Sequence, residues 1–148
     1  MAQGDVTFFE EALAWLADGT FDLDGDNTIK CAILDNTTAP TASDATPTLS
    51  DYTQVGDGGQ YVDGGEELTC TWTESGGTVT FDSSTNPTWP QDPGNDTDAY
   101  WALVYQAGSH NSTTDAGICF VDLGGAVDMT AGDLTITWNA SGIFTIAT

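Results

Sequence analysis

The chain has 148 residues, the length of one domain, and carries 23 Asp and Glu against a single Lys or Arg, for a formal net charge of -22. Because Lys30 is the only permanent cation, the composition excludes a nucleic-acid-binding protein that grips phosphates. No apolar run approaches the roughly 20 residues of a membrane span, and the start MAQGDVTFFEEALAWLADG lacks the basic residues of a secretion signal. We therefore expect one domain over residues 1–148, with no membrane partner and no export by that route.

The acidic residues are spread from Asp5 to Asp133 and form no tail. At low ionic strength these carboxylates repel one another and oppose compaction. At about 1 M salt the Debye length falls to roughly 3 Å, which screens most of that repulsion. We interpret the acidity as adaptation to very salty surroundings, with a cationic partner or calcium binding as the alternatives.

The first segment, Val6 to Ala17, has apolar residues at helical spacing. Asp5 is a candidate N-cap and Gly19 a candidate stop. The sequence predicts one N-terminal helix over about residues 6–17, with an apolar stripe formed by Val6, Phe9, Leu13 and Leu16 and widened by Phe8, Ala12 and Trp15.

From Thr20 the pattern changes to strands. TFDL and Thr28 to Asp35 flank DGDN, a tight turn in which Gly25 can take a positive φ. The Thr-, Ala- and Pro-rich segment Asn36 to Ser50 is typical of an extended surface loop.

The next two strands, Glu67 to Glu74 and Gly77 to Asp82, form a predicted hairpin around Ser75 and Gly76. Apolar residues alternate with Thr in both strands, so we expect one face packed and one face wet. The residues predicted to face the core are Leu68, Cys70, Trp72, Val79 and Phe81.

A second polar loop, Ser83 to Asp98, leads into the nearly continuous apolar run Ala99 to Gln106, which predicts a central strand covered on both faces. Ala116 to Leu123 is expected to pair with it. The chain closes with strands DLTITWN and GIFTIA, separated by Ala140 and Ser141. Eight or nine short strands predict an all-β protein, an antiparallel β-sandwich (or partly closed barrel) with the N-terminal helix across one end or face.

Three cysteines, Cys31, Cys70 and Cys119, lie far apart among strand-like neighbours. An odd, scattered set is a poor disulfide framework and lacks metal-ligand spacing. We interpret them as small buried thiols, with one bridge among them left open.

Candidate catalytic residues are few. His110 is the only histidine, and Ser109 and Asp115 could serve as its nucleophile and orienting acid, but GSHNSTTD is typical of a solvated turn. Glu66 and Glu67 could act as a glycosidase pair only by chance, because general acid catalysis needs a desolvated carboxyl. We predict no catalytic residues, no cofactor and no enzyme activity.

Asp22, Asp24 and Asp26 alternate as the first ligands of a calcium loop do. The rest of the pattern fails, because Gly25 comes too early and Ile33 stands where a bidentate Glu should be. We interpret the segment as a hairpin turn, with a weak cation site as the alternative.

Five Trp and four Tyr raise the alternative of a carbohydrate-binding module. Trp72, Trp101 and Trp138 are in phase with core positions, whereas Trp89 and Trp15 are the candidates for exposed rings that anchor a neighbouring subunit. Four N-x-Thr or N-x-Ser triplets permit glycosylation without indicating it; they begin at Asn36, Asn95, Asn111 and Asn139.

Four blocks occur in an order that resembles a family of small virion proteins of tailed bacterial and archaeal viruses: GTFDLDGDNTIKCAIL, YVDGGEELTCTWTESGGTVTFD, YWALVY and TAGDLTITWNASGIFTI. They cover most of the chain apart from the two polar loops. The chain departs from the family in its acidity and in its longer loop from Ser83 to Asp98.

The resemblance implies a non-enzymatic capsid decoration or cement protein that binds the major capsid protein or another virion subunit and forms a homo-oligomer. Its location would be the virion, assembled in the host cytoplasm, and its acidity suggests a halophilic or marine host. We expect removal of residues 1–17, or Trp15→Asp, to abolish attachment or oligomerisation. The alternatives are a tail or fibre component of the same kind of virus, and a secreted carbohydrate- or calcium-binding β-sandwich module.

Overall fold

A computed structural model describes residues 2–21, 23, 28–56, 59–95 and 97–147. The fold is mostly β, with antiparallel sheets and one N-terminal helix, as the alternating Thr and apolar residues predict. Within the described residues, the elements are β1 (Val6–Phe8), α1 (Glu10–Asp18), β2 (Ile29–Leu34), a 3₁₀ turn (Leu49–Asp51), β3 (Glu66–Leu68), β4 (Cys70–Ser75), β5 (Thr78–Ser83), β6 (Thr88–Trp89), β7 (Ala99–His110), β8 (Thr113–Val127), β9 (Leu134–Thr135) and β10 (Phe144–Ala147).

The strands form a five-stranded sheet in the order β1-β8-β7-β2-β3 and a three-stranded sheet in the order β10-β5-β4. A third, two-stranded ladder joins β6 to β9. β7 is the centre of the large sheet and is buried over most of its first eight residues, which confirms the prediction for Ala99 to Gln106. The predicted pairing of β7 with the segment 116–123 is also confirmed, within the longer strand β8.

The helix begins later than the sequence predicted. Val6–Phe8 is a strand that pairs with β8, and the helix starts at Glu10 with Phe9, not Asp5, at the N-cap position. Pairing with β8 overrides the helical periodicity in this segment. As a result, the Phe8 ring packs against Phe144, and the Phe9 ring packs against Phe120. Gly19 ends the helix in the left-handed conformation, as expected.

The predicted strand from Glu67 to Glu74 is two strands in different sheets. β3 pairs with β2, whereas β4 pairs with β5, and the chain changes sheet at Thr69. The Thr69 N–H donates to Thr85 Oγ1 at 3.1 Å, and its carbonyl accepts from the Ser84 N–H at 3.0 Å. A pattern of period two continues unchanged through such a corner, so it cannot reveal it.

The closing strand is shorter than predicted. Only Leu134–Thr135 is strand. The Ile136 N–H still donates to Pro87 O in the register of the β6–β9 ladder, but Pro87 has no N–H to return the bond, and the Trp138 N–H donates to Asn86 Oδ1 instead of to a backbone carbonyl. These hydrogen bonds hold the segment against residues 86 and 87. The region from Ser83 to Asp98, which its composition predicted to be a polar loop, therefore contains a strand, β6, and ordered contacts. The prediction of a strand at TFDL is wrong at the three positions that the structure describes, Thr20, Phe21 and Leu23, none of which is in a strand. The predicted DGDN turn lies outside the described residues.

Buried apolar side chains form one contiguous cluster that runs from Phe9 to Ile143. An aromatic group links the two larger sheets: the Phe8 and Phe144 rings lie 4.8 Å apart, and Phe81, fully buried on β5, lies 4.9 Å from Phe144. Among the described residues, no helix has the length and apolarity to cross a membrane.

Candidate functional site

The structure does not assemble a catalytic group around His110. This residue ends β7, next to the tight turn of Asn111 and Ser112, and its Nε2 lies 3.2 Å from the Ala107 carbonyl oxygen. The Ser109 hydroxyl lies 2.7 Å from Thr114 Oγ1, and Asp115 Oδ1 accepts from the Gly108 N–H at 2.8 Å. Each of the three candidate residues thus makes a local contact, and no hydrogen bond among the described residues links His110 to Ser109 or Asp115.

Glu66 and Glu67 are adjacent on β3 and both are exposed. Neighbouring residues of a strand point to opposite faces, so the two carboxylates cannot flank one substrate bond. Glu67 stands directly opposite Lys30 on β2.

Asp22, Asp24 and Asp26, the candidate cation ligands, lie outside the described residues. In the part of the chain that is described, no group of three His, Cys, Asp or Glu side chains is arranged to hold a metal ion.

The three cysteines are free thiols. Cys31 on β2 and Cys119 on β8 both pair with Val104 of β7 and are fully buried, whereas Cys70 on β4 is half-buried. Burial raises the pKa of Cys31 and Cys119 well above the usual range, and burial together with the Asp82 charge raises the pKa of Cys70 to about 12. All three therefore stay protonated and are poor nucleophiles at neutral pH.

The structure contradicts the sequence prediction for three of the five tryptophans, whereas Trp101 and Trp138, expected in the core, are half-buried and pack against it. Trp89 and Trp15, expected to be exposed, are 1% and 5% exposed, while Trp72, expected in the core, is 36% exposed. Trp89 is buried because the loop that carries it forms β6, and Trp15 packs edge-on against Phe21 at 5.5 Å. Trp72 is exposed because β4 is an edge strand.

Asp92 is a buried acid whose role is structural. Its Oδ2 accepts the N–H groups of Gln60 (3.1 Å) and Tyr61 (3.0 Å), and its Oδ1 accepts that of Gly94 (3.3 Å). These hydrogen bonds, that of Tyr61 first, hold the pKa of Asp92 below its usual range. Nearby, the buried Asn95 amide donates to Gly56 O at 2.7 Å, which makes this triplet unsuitable for glycosylation in the folded chain.

One surface groove is apolar. It has a volume of about 340 Å³ and runs between the N-terminal elements and β10. Leu13 of α1, 56% exposed, and Ile146, 38% exposed, stand beside the half-buried rings of Phe8 and Phe144. We call this surface the α1–β10 groove; it is lined by Phe8, Leu13, Phe144, Thr145, Ile146 and Ala147.

Sequence reasoning missed this groove because it placed Leu13 on the buried stripe of the helix. The buried positions are Phe9, Ala12 and Trp15, so the stripe is rotated by about one residue and Leu13 faces outward. The sequence did contain a signal for the true start of the helix. Acidic residues stabilise the first turn of a helix, and Glu10 and Glu11 occupy that turn.

A second cleft, of about 490 Å³, separates the N-terminal residues and the end of β8 from the segment 134–143. Its wall mixes Asp5 and Asp122 with the half-buried Trp138. Both carboxylates already accept local backbone N–H groups, those of Ala2 and Gly124.

Comparison of the chain with protein-family models, with curated proteins and with solved structures finds no match.

Proposed function

We propose that the chain is a non-enzymatic structural protein of a virus particle, a capsid decoration or cement protein of a tailed virus whose host is halophilic or marine. The observation that carries the proposal is the contrast between an acid-rich chain and the apolar α1–β10 groove. Five large apolar side chains of the described residues are exposed, and two of them, Leu13 and Ile146, lie in this groove beside the half-buried rings of Phe8 and Phe144.

The blocks that resemble virion proteins support the same proposal. They contain β2, β3, β4, most of β5, half of β7, β9 and most of β10, but neither β1 nor β8. A cement protein contributes buried area between shell subunits, and anything that binds only the assembled shell stabilises it by mass action. An apolar contact also keeps its strength at high salt, where charged contacts are screened.

The groove changes which variant tests attachment. Trp15→Asp would place a charge in the core, and removal of residues 1–17 would strip β1 from the edge of the large sheet. Both changes damage the fold, so a loss of attachment would be uninformative. Leu13→Asp alters the groove alone, because Leu13 is exposed.

The test uses particles that lack the chain and purified protein added back in molar salt. We expect wild-type protein to co-sediment with the particles, and Leu13→Asp to weaken binding by about tenfold or more, as for a central apolar anchor. Val62→Asp is the matched control, since Val62 is 63% exposed and lies outside the groove. Circular dichroism checks that each variant is folded.

Two results would count against the proposal in different ways. If none of the three proteins binds particles, the chain is not a capsid decoration protein. If Leu13→Asp binds as tightly as wild type and Val62→Asp does not, the contact surface lies elsewhere.

A further inference from the structure

We propose that β4 pairs with β4 of a second copy about a two-fold axis at Trp72, joining two three-stranded sheets into one of six strands. This pairing concerns the chain itself and does not rest on the virion role.

The first observation is that β4 is an unprotected edge. It has one strand neighbour, β5, and its five residues from Thr71 to Ser75 are all exposed. Natural edge strands are usually short, bulged, or marked by Pro or by charged side chains, especially Lys. β4 runs for six residues in unbroken register, lacks Pro and Lys, and carries one charge, that of Glu74.

The other edges of the two larger sheets differ from β4. β1 has three residues and runs almost directly into the helix, and β3 has three residues, two of them Glu. β10 has four residues and lines the α1–β10 groove. The edge that is both long and nearly free of charge is β4.

The second observation is an aromatic row that stops at this edge. Phe144, Phe81 and Trp72 are direct cross-strand partners in the register and therefore share one face of the sheet. Their rings lie 4.9 Å and 5.5 Å apart. Trp72 is the last ring of the row and is 36% exposed, because no strand of the described residues lies beyond β4.

Hydrogen bonding fixes which backbone groups are free. The Ser84 N–H donates to Thr69 O, so Thr69 and every second residue after it turn their backbone groups towards β5. The N–H and C=O groups of Cys70, Trp72 and Glu74 consequently point away from the sheet.

A two-fold axis perpendicular to the sheet leaves the same face of both copies on the same side of the joined sheet. Paired residues must therefore have side chains on the same face, so even-numbered residues pair with even-numbered ones. With the axis at Trp72, this residue pairs with its own copy, and Cys70 pairs with Glu74 of the other copy. The three outward residues on each strand then exchange about six N–H···O bonds in the antiparallel pattern. The aromatic row continues from one copy into the next across the axis.

Charge is compatible with this register. Glu74 is the only ionised side chain of β4, and the two copies of Glu74 lie four residues apart along the paired strands, about 14 Å. That distance exceeds the Debye length of about 8 Å at physiological ionic strength. Repulsion between two chains of net charge -22 remains, so the dimer is expected to strengthen with salt.

The experiment combines sedimentation with amide hydrogen exchange on the whole chain. In 1 M KCl we expect a concentration-dependent dimer, and Trp72→Thr to raise its dissociation constant by at least about tenfold. In the dimer, the amides of Cys70, Trp72 and Glu74 exchange slowly, and dilution to monomer releases them. The amides of Thr71 and Thr73, bonded to β5, stay protected in both states.

A cysteine pair tests the register. Glu74→Cys leaves Trp72 in place and sets a thiol directly opposite the native Cys70 of the other copy, with Cα atoms about 5.5 Å apart, a distance that a disulfide can span. Thr73→Cys is the matched control, because residue 73 lies on the opposite face of the sheet from Cys70 and its own copies lie beyond about 7 Å. We expect oxidation to cross-link the first variant and not the second.

A chain that stays monomeric at high concentration in molar salt would overturn the proposal. So would a dimer in which the amides of Cys70, Trp72 and Glu74 exchange as fast as in the monomer, since that dimer uses another surface.

Discussion

The acidic surface should make stability depend strongly on salt, and the size of the effect follows from the structure. The accessible surface of 7116 Å² equals that of a sphere of about 24 Å radius. A charge of -22 spread over it carries a self-repulsion of about 12 kcal/mol at 0.1 M salt and about 5 kcal/mol at 1 M. The unfolded chain has a radius of gyration of about 40 Å. Treated as a uniform sphere of about 52 Å radius with the same charge, it carries a self-repulsion of about 3 kcal/mol at 0.1 M salt and about 1 kcal/mol at 1 M.

Raising the salt from 0.1 to 1 M therefore removes about 5 kcal/mol of the repulsion that opposes folding. This is as large as the whole unfolding free energy of many domains, roughly 5–15 kcal/mol. Urea unfolding followed by tryptophan fluorescence, at pH 7 and low micromolar protein in 0.1, 0.3 and 1 M KCl, measures it directly. We expect the free energy of unfolding to rise by about that amount.

A variant with fewer charges separates this repulsion from general effects of salt on apolar surface. Asp63→Asn, Glu66→Gln and Asp98→Asn change exposed acids and lower the net charge from -22 to -19. Because self-repulsion scales with the square of the charge, the gain from salt should fall by about a quarter. An equal gain in both proteins, or a gain below about 1 kcal/mol in wild type, would refute the reasoning.

Three further predictions concern the core and its acids. Phe81→Ala should cost about 3–5 kcal/mol in urea unfolding because its ring is fully buried, while Thr73→Ala on the exposed edge strand should cost less than about 1 kcal/mol; similar losses would contradict the assignment of faces. Gly65→Ala should lower the melting temperature sharply, because a Cβ there would clash with the carbonyl oxygen of Cys31 and because φ is positive, at 65°; an unchanged melting curve would contradict the close approach of Gly65 to β2. Because the pKa of Asp92 is lowered in the folded chain, its contribution is present above the unfolded value of about 3.9 and is lost as pH falls through the folded value; in 1 M KCl, Asp92→Asn should therefore be less stable at pH 7 and lose less on acidification, and a parallel pH profile would count against the role of this carboxylate.

Much of the fold could be predicted because the burial of a strand's faces determines the pattern of apolar and polar residues along that strand. The alternation of Thr with apolar residues in Thr78–Ser83, and the continuous apolar run at the start of Ala99–His110, reflect burial of one face or of two. Gly19 ends the helix for a reason that is local to its own backbone.

The failures came where distant contacts decide. The corner at Thr69 depends on hydrogen bonds to residues 84 and 85, and β9 ends where the facing residue is Pro87, which has no N–H, and where the Trp138 N–H bonds to the Asn86 side chain. The exposure of Trp72 and the burial of Trp89 follow from which strand lies at an edge and which loop folds back, and neither is encoded in the spacing of nearby residues. The α1–β10 groove joins residues near both ends of the described chain, so no local pattern could reveal it.

The most direct test of the structural role is to count this chain in purified virus particles. Particles released from a host culture that carries the gene are banded on a density gradient, and isotope-labelled peptide standards give the ratio of this chain to the major shell subunit by mass spectrometry. A decoration protein predicts a fixed, near-integer or simple fractional ratio that persists through repeated banding in molar salt. Recovery of the chain only in the particle-free fraction would contradict the account.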